Sequence, residues 1–186
     1  MEDKRLEQAI EFATRKHSGQ KRKGTSIPYI VHPIETMTIL QRMNADTDLM
    51  IAGVLHDVVE DAKVPIEDIQ KLFGEDVAYL VAEHSEDKAK TWTERKEADI
   101  KAVRAGSKRL KMLVMADKLS NLRALYSDYR DEKERVWERF NAPAPMQAWY
   151  YSKMIDAMDD LQYEEDTESF YWEMCSLCKD IFVTML

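Results

Sequence analysis

The chain has 186 residues, of which 45% are hydrophobic and 33% are charged, and its formal net charge is −8 at pH 7. That length suits one domain with a hydrophobic core, and the acidic balance gives no general attraction to nucleic acid or to an anionic membrane. No apolar run approaches the ~20 residues that span a bilayer, no apolar signal core follows the N-terminus, and only two cysteines occur, so we expect a cytoplasmic protein.

Long segments show helical periodicity and none shows sustained strand alternation, which predicts an all-α fold. We expect a single domain over residues 1–186, with a core at about residues 3–140 and C-terminal helices at about residues 146–186. The first helix is predicted at residues 3–17.

The loop at residues 16–24 is positive in an otherwise acidic chain. It carries four cations and no acid: Lys16, Lys21, Arg22 and Lys23. One interpretation is a solvated turn. The other is a clamp for anions, because Arg and Lys donors suit phosphate oxygens and can lie over a nucleotide base.

Residues 25–33 predict an extended connector, because Pro28 and Pro33 disfavour helical backbone in the residues before them. Pro33 suits the first position of the next helix, which places His32 at the cap of that helix. A single His is more often structural. A rigidly framed His at a helix end, with His56 further along the chain, is nevertheless a candidate metal ligand.

The helix predicted at residues 47–60 carries a polar stripe. On a helical projection, His56, Asp57, Glu60 and Asp61 fall within an arc of roughly 140°. An ordinary amphipathic helix with a solvated face shows the same pattern. The stripe alone therefore leaves a structural and a functional interpretation open.

The turns before this stripe favour the functional interpretation. Leu49, Met50 and Gly53 project onto the same side as the polar residues, so the first half of the helix is apolar all round. A helix of this kind is buried, and its polar stripe then faces an interior cleft. Three carboxylates beside a histidine, with no Lys or Arg among them, repel one another strongly at low dielectric unless a cation joins them. The stretch therefore predicts a metal site.

The middle of the chain is less informative. Residues 62–83 predict a turn and two short helices, and residues 85–96 predict a loop leading into a helix, with Thr93 near its boundary. We interpret His84 as a structural residue and Lys88 as a candidate phosphate contact.

The helix predicted at residues 108–125 carries Asp117 on its apolar stripe and Asn121 one turn later. A buried carboxyl group is costly unless it is paired, protonated or bound to a metal. Asp117 can cap a neighbouring helix or bind a metal, and the cation required by residues 47–60 favours the metal.

A final pair of amphipathic helices is predicted from about Met146. Most of its aromatic residues suit the core. One of three adjacent side chains is expected to reach the pocket, and the sequence does not decide which: Trp149, Tyr150 or Tyr151.

Four candidate ligands come from three separate places along the chain: His32, His56, Asp57 and Asp117. This mixed nitrogen and oxygen set suits Mn²⁺, Fe²⁺ or another first-row ion better than a structural zinc site. A six-coordinate ion would keep room for a water and a substrate oxygen. Glu60 and Asp61 can orient the water or act as general acid or base. The predicted reaction class is metal-assisted hydrolysis of a phosphate ester.

The same residues resemble a known family. The set His32, His56-Asp57 and Asp117 looks like the signature of the HD phosphohydrolases, which are helical bundles. Five ordered motifs, within about residues 6–125, are similar to the hydrolase domain of RelA/SpoT-type proteins and especially to the small single-domain alarmone hydrolases. These motifs are His17-Ser-Gly-Gln-Lys-Arg-Lys23, Pro28-Tyr-Ile-Val-His-Pro33, Leu55-His-Asp-Val-Val-Glu-Asp61, Glu94-Arg-Lys96 and Ala116-Asp-Lys-Leu-Ser-Asn-Leu-Arg123.

The resemblance implies a single HD-type domain that depends on Mn²⁺ or another divalent first-row metal. The implied enzyme removes the 3′-pyrophosphate from ppGpp and pppGpp, the alarmones of the stringent response, and leaves GDP or GTP. The implied roles are metal binding by His32, His56, Asp57 and Asp117, water activation by Glu60 and Asp61, and substrate binding by Arg22, Lys23, Lys88 and Asn121. The expected partner is this small nucleotide, without a nucleic acid or membrane partner.

Two other functions stay open from the sequence. The same site can act on another phosphorylated nucleotide, such as ppApp or NADPH, or as a generic nucleotidase. A catalytically silent alarmone-binding domain is the third interpretation, although such a domain has no chemical need for the Glu60–Asp61 pair. No synthetase domain follows Leu186, so a hydrolase alone is expected, and the sequence does not predict an oligomeric state.

Overall fold

The computed structural model describes residues 4–85 and 88–182, and all regular elements in these ranges are helical. The α-helices are α1 Lys4–Lys16, α2 Val31–Arg42, α3 Thr47–Leu55, α4 Val58–Asp61, α5 Ile66–Phe73, α6 Glu75–His84, α7 Trp92–Ala105, α8 Lys108–Glu132, α9 Ala144–Ala157 and α10 Glu168–Phe182. Two 3₁₀ segments, Lys133–Arg139 and Asp159–Tyr163, follow α8 and α9. The predicted all-α fold is confirmed, although residue 3, the predicted start of the first helix, lies outside the described ranges. Among the described helices, none is long and apolar enough to cross a membrane.

Helix α8 forms the axis of the fold. It packs against α2, α3, α6, α7 and α10, and its residues 110–117 are all buried. The helix extends to Glu132, beyond the predicted end at residue 125. A polar residue inside such a buried stretch needs polar partners. Asp117 occupies this position, so the fold places a carboxyl group in its interior.

Helix α3 lies at the centre of the fold, as its apolar sequence predicts. Residues 51–55 are all buried, and the helix packs against α1, α2, α6 and α8. A side chain at Gly53 would meet α2, because a Cβ there would lie 2.5 Å from Leu40 Cδ1. The glycine therefore permits a close approach between α2, which carries His32, and the helix that leads to His56.

The prediction of one continuous helix over residues 47–60 is wrong. Helix α3 ends at Leu55, a turn follows at His56 and Asp57, and α4 comes after the turn. His56 Nδ1 lies 2.8 Å from the carbonyl oxygen of Gly53. In a continuous helix that carbonyl would accept the amide of Asp57. The His56 side chain therefore occupies the Gly53 carbonyl in place of the Asp57 amide, and the same hydrogen bond fixes the orientation of its ring.

The start of α2 also differs from the prediction. The amides of Val31 and His32 donate to the carbonyls of Pro28 and Tyr29, at 3.2 and 3.0 Å, so the helix begins before Pro33. Pro33 lies within the first turn, where the missing N–H group has no helical acceptor to lose. His32 is therefore the second residue of the helix and not its cap.

Helix α7 begins with a reciprocal cap. The Thr91 hydroxyl accepts the amide of Glu94 at 3.3 Å, and the Glu94 carboxylate accepts the amide of Thr91 at 2.9 Å. The helix thus begins next to the predicted boundary near Thr93, and the Thr-x-x-Glu pattern that begins at Thr91 is the signal that identifies its exact start. Helix α9 begins at Ala144, close to the predicted Met146.

Candidate metal centre

The four predicted ligands meet where α2, α8 and the turn after α3 come together. The Nε2 atoms of His32 and His56 are 3.2 Å apart. Asp57 Oδ2 lies 3.0 Å from the His56 nitrogen and 3.5 Å from the His32 nitrogen. Asp117 Oδ1 approaches from α8, at 3.1 Å from His32 and 3.7 Å from His56. The structure brings these side chains together, and their role as metal ligands stays a prediction.

The contacts of the two Nδ1 atoms determine which nitrogen of each imidazole carries the hydrogen. His56 Nδ1 contacts the Gly53 carbonyl, which only accepts, so Nδ1 carries the hydrogen. His32 Nδ1 lies 2.8 Å from Ser120 Oγ, and that hydroxyl donates to the Glu35 carboxylate at 2.9 Å. Ser120 therefore accepts from His32 Nδ1. In their neutral forms both rings then direct an Nε2 lone pair at the cluster.

The electrostatics of the cluster favour positive charge at its centre. Burial holds the pKa of His32 below its usual value. Burial also opposes the charged form of His56, but the carboxylates of Asp57 and Asp117 outweigh it and raise the pKa to about 9. Burial would raise the pKa of both carboxyl groups as well. The neighbouring imidazoles at Asp57, and chiefly Lys118 at Asp117, hold these pKa values below the usual range instead.

The donor set and its spacing fit a divalent metal ion. Neighbouring ligand atoms around an ion with bonds of about 2.1 Å are roughly 3 Å apart. The nitrogen–oxygen distances of 3.0–3.7 Å in the cluster are close to that value. Two imidazoles and two carboxylates suit a first-row divalent ion. One ligand atom from each of His32, His56 and Asp57 also lies within 4.8 Å of the other two.

Both carboxylates have further partners that the sequence did not predict. The Tyr29 hydroxyl donates to Asp57 Oδ2 at 2.7 Å. Asp117 Oδ2 accepts from Lys118 Nζ at 2.8 Å and lies 3.2 Å from His84 Nε2. His84, interpreted from the sequence as a structural residue, ends α6 and lies against a candidate ligand.

A polar cavity opens from the cluster. Its walls come from α2, the turn at Asp57, α4, α6, α7, α8 and α9. Asn121 lines the cavity, and its amide donates to Asp117 Oδ1 at 2.7 Å. Asp99 and Lys118 also line it. The arrangement can hold a polar ligand against the cluster.

The two predicted catalytic carboxylates face different surroundings. Glu60 lines the cavity, and its side chain is 18% exposed. Asp61 is 38% exposed, and its carboxylate lies 3.4 Å from Lys88 Nζ. Lys88 also donates to the Glu60 carbonyl at 3.0 Å. Lys88, the predicted phosphate contact, also lies 3.5 Å from Glu60 Oε2 and is therefore paired with both carboxylates.

The predicted base contacts lie beside the cavity. Arg22 donates to Asn121 Oδ1 at 3.0 Å, and its guanidinium lies 6.0 Å from the centre of the Tyr29 ring. Lys23 is exposed. Arg22 is thus connected to the cluster through Asn121, whereas Lys23 extends into solvent.

Of the three aromatic residues left open by the sequence, Tyr150 contacts two residues that line the cavity. Its hydroxyl donates to Asp99 at 3.1 Å, and its ring centre lies 5.7 Å from Lys118 Nζ. Both of these residues line the cavity. Trp149 borders a separate surface hollow beside α7, and Tyr151 packs in the core.

The loop at residues 16–24 yields a stability prediction through Gly24. This residue has a φ of +77°, and a Cβ there would lie 2.8 Å from Arg139 Cζ. Arg139 is held by ion pairs with Asp128 and Glu132. We expect Gly24→Ala to lower the free energy of unfolding by roughly 1–2 kcal/mol through backbone strain. Displacement of the held guanidinium should cost about 1–3 kcal/mol more.

Gly19→Ala is the matched control. Gly19 has a φ of +81° but no atom within 4 Å of a Cβ position, so its variant measures the backbone strain alone. Urea unfolding of both variants gives the comparison. Equal losses of stability would mean that Arg139 moves aside without cost.

The comparisons with known proteins agree with this geometry. A family model described as an HD domain matches residues 9–144. The guanosine-3′,5′-bis(diphosphate) 3′-pyrophosphohydrolase MESH1 of Drosophila melanogaster is 42% identical over 142 residues, which cover 71% of this chain and 79% of the relative. The Homo sapiens enzyme of the same name is 36% identical over 142 residues, with the same coverage of both chains.

Solved structures give the same result. A structure described as a metazoan ortholog of SpoT that hydrolyses ppGpp superposes with a TM-score of 0.79 at 28% identity, covering 100% of this chain and 99% of the other. The resemblance indicated by the sequence motifs is confirmed. The chain belongs to the HD-domain family and, within it, to the group of the MESH1 and SpoT-type pyrophosphohydrolases.

Proposed function

We propose that this protein is a metal-dependent hydrolase that removes the 3′-pyrophosphate from ppGpp and pppGpp, producing GDP or GTP and pyrophosphate. One observation carries the proposal: two imidazole nitrogens face two carboxylate oxygens at 3.0–3.7 Å beside a polar cavity. The relatives that bear the name of this activity match 71% of the chain and support the choice of substrate.

His32, His56, Asp57 and Asp117 would hold the metal, and we propose Mn²⁺ as the ion. A bound divalent ion supplies Lewis acidity, which lowers the pKa of water and polarises a phosphoryl oxygen. The chain provides a buried position with two oriented Nε2 atoms. It also provides two carboxylates whose depressed pKa values keep them ionised.

Glu60 is proposed to orient the attacking water and to accept its proton. Its position on the cavity wall, one helical turn after Asp57, supports this role. Asp61 is proposed to assist it, and the contacts of Lys88 with both residues would hold the two carboxylates in place.

The cations beside the cavity are proposed to bind the polyanionic substrate. The chain is acidic overall, so positive side chains near the site matter for attracting a nucleotide. We propose that Arg22 and Lys23 border the guanine base and that Lys88 meets phosphate oxygens. Asn121, which accepts from Arg22 and donates to Asp117, would contact ribose or phosphate.

The test is turnover of a nucleotide panel by metal-free protein reloaded with Mn²⁺. The panel contains ppGpp, pppGpp, ppApp and NADPH, and the products are identified by chromatography. We expect intact pyrophosphate from ppGpp and pppGpp, and no turnover before metal is added.

Two results would overturn the assignment. Release of single phosphates would point to a general nucleotidase, and faster turnover of ppApp or NADPH would change the substrate. Binding of ppGpp without turnover in the presence of Mn²⁺ would instead indicate a silent binding domain.

We further propose that residues 1–186 act as one domain located in the cytoplasm. Residues of α9 and α10, such as Met154 and Phe182, share one hydrophobic cluster with Leu113 of α8, which supports a single unit over the described residues. Cys175 and Cys178 are both free thiols, which suits a reducing compartment.

A further inference from the structure

The two histidines of the cluster are held in different ways. His56 is fixed by the carbonyl of Gly53, within its own turn. His32 is fixed by a side chain from another helix, because its Nδ1 donates to Ser120 Oγ of α8 at 2.8 Å. Ser120 is fully buried, so no solvent can replace it as the acceptor. The orientation of His32 therefore depends on residues outside its own helix.

Ser120 acts as an acceptor because a carboxylate takes its hydrogen. Its Oγ donates to Glu35 Oε2 at 2.9 Å, and an ionised carboxylate can only accept. A Ser120 hydroxyl turned towards His32 would favour the opposite tautomer, which directs an N–H group at the cluster. Glu35 therefore selects the tautomer of His32 that leaves Nε2 bare for a metal.

A further ion pair holds Glu35 and reaches α10. Arg123 Nη1 lies 3.4 Å from Glu35 Oε1, and the same guanidinium binds Glu173 of α10 in a bidentate manner at 2.7 and 2.8 Å. Bidentate Arg–carboxylate pairs are the stronger and more directional ion pairs. The link runs from the candidate metal ligand His32 to the C-terminal helix through four side chains.

The spacing of the four residues along α2 and α8 explains why their side chains can meet. His32 and Glu35 are three residues apart on α2, and Ser120 and Arg123 are three residues apart on α8. Residues three apart lie on one helix face. The two pairs face each other where α2 packs against α8.

We propose that Ser120 and Glu35 are positioning residues for metal binding by His32, and that the Arg123–Glu173 pair holds Glu35 in that role. The inference rests on the proposed metal site. It goes beyond that site because it makes metal affinity depend on side chains that cannot touch the ion, including one on α10.

The test is the affinity of the metal-free protein for Mn²⁺, measured by titration calorimetry. Loss of a residue that orients a metal-binding His typically weakens binding about 10- to 100-fold, and we expect this for Ser120→Ala. Glu173→Gln should weaken binding about two- to tenfold, because it acts on His32 through three intermediate side chains. At saturating Mn²⁺ the kcat of Ser120→Ala should return close to that of the wild type, since the ligands themselves are intact. The visible spectrum of the Co²⁺-loaded variant should differ from that of the wild type.

Glu164→Gln is the matched control for Glu173→Gln. Glu164 pairs with Lys108 of α8 at 2.8 Å, so it also joins the C-terminal part of the chain to α8, but it has no contact with Glu35. Its variant should bind Mn²⁺ as the wild type does. Should Ser120→Ala fail to fold, Glu35→Ala carries the test, because the Glu35 side chain is 35% exposed and leaves no closed cavity.

The outcomes separate this inference from the proposed function. If the wild type binds no divalent metal, both are overturned. If the wild type binds Mn²⁺ and hydrolyses ppGpp while Ser120→Ala binds Mn²⁺ equally well, only the positioning role is overturned. The same holds if Glu164→Gln loses as much affinity as Glu173→Gln.

Discussion

Asp57→Asn is expected to abolish metal binding and to lower the turnover of ppGpp about 10²- to 10⁴-fold. Asp57 Oδ2 lies 3.0 Å from one buried imidazole nitrogen and 3.5 Å from another. Removing one charge from a buried polar cluster costs about 3–5 kcal/mol, and about 1.4 kcal/mol corresponds to a tenfold change in rate. Asn keeps the size of Asp and can still accept the hydroxyl of Tyr29. The loss therefore reports the missing charge and not a cavity.

Thermal unfolding with and without Mn²⁺ measures this effect independently of turnover. A ligand present at about 100 times its Kd stabilises a protein by about 2.7 kcal/mol. For a chain of this length that energy raises the Tm by roughly 5–10 °C. We expect the shift for the wild type and its absence for Asp57→Asn.

Asp46→Asn is the control for the same substitution at the other end of α3. Asp46 accepts the amide of Leu49 and pairs with Arg109 at 2.9 Å, and its side chain is 56% exposed. Asn caps a helix about as well as Asp, so the variant should keep the fold and the full Mn²⁺ shift. If Asp57→Asn kept the shift as well, Asp57 would not be a ligand and the proposed hydrolase would lose its basis.

The sequence predicts the assembly of the site better than its details. A buried helix whose polar stripe has carboxylates and no Lys or Arg indicates a bound cation. Asp117, on the apolar stripe of a second helix, indicates the next metal ligand. The structure brings these residues to within 3.7 Å. This part is predictable because periodicity places side chains on helix faces and burial makes unpaired charge expensive.

The contacts that the sequence does not predict depend on where helices end. His84 reaches Asp117 because it ends α6 on the same face as buried residues of that helix, and this spacing alone does not predict which helix that face meets. The break after Leu55 arises because a side chain, His56, competes for a backbone acceptor. Tyr29 lies beside Asp57 because the chain turns after Pro28, where the two prolines had favoured an extended conformation. The first contact depends on how α6 packs against α8, and the other two depend on local hydrogen bonds that replace the regular backbone pattern.

Glu60→Gln is expected to lower kcat about 10²- to 10⁴-fold and to leave the affinity for Mn²⁺ unchanged. Glu60 lines the cavity one turn after Asp57, and its side chain is 18% exposed. Gln has the same shape and can still accept a hydrogen bond, but it cannot take a proton from water at neutral pH. The expected defect is therefore in proton transfer and not in metal binding.

Asp61→Asn separates the two members of the predicted catalytic pair. Both carboxylates lie near Lys88 Nζ, at 3.5 Å for Glu60 and 3.4 Å for Asp61, but Asp61 is 38% exposed and Glu60 only 18%. We expect a smaller loss of kcat than for Glu60→Gln, because Glu60 lines the cavity and Asp61 is not among its lining residues. Single-turnover rates with saturating Mn²⁺ and ppGpp give the comparison, and calorimetry gives the Mn²⁺ affinity of each variant.

Each result that contradicts these expectations assigns the role of general base or metal ligand to a different residue. Weakened Mn²⁺ binding by Glu60→Gln would make Glu60 a ligand, and the ligand set would then need revision. An unchanged kcat would move the base to another group beside the cluster, for which His84, 3.2 Å from Asp117, is the next side chain to replace. A larger loss of kcat for Asp61→Asn than for Glu60→Gln would mean that α4 rotates when substrate binds. Asp61, and not Glu60, would then face the cavity.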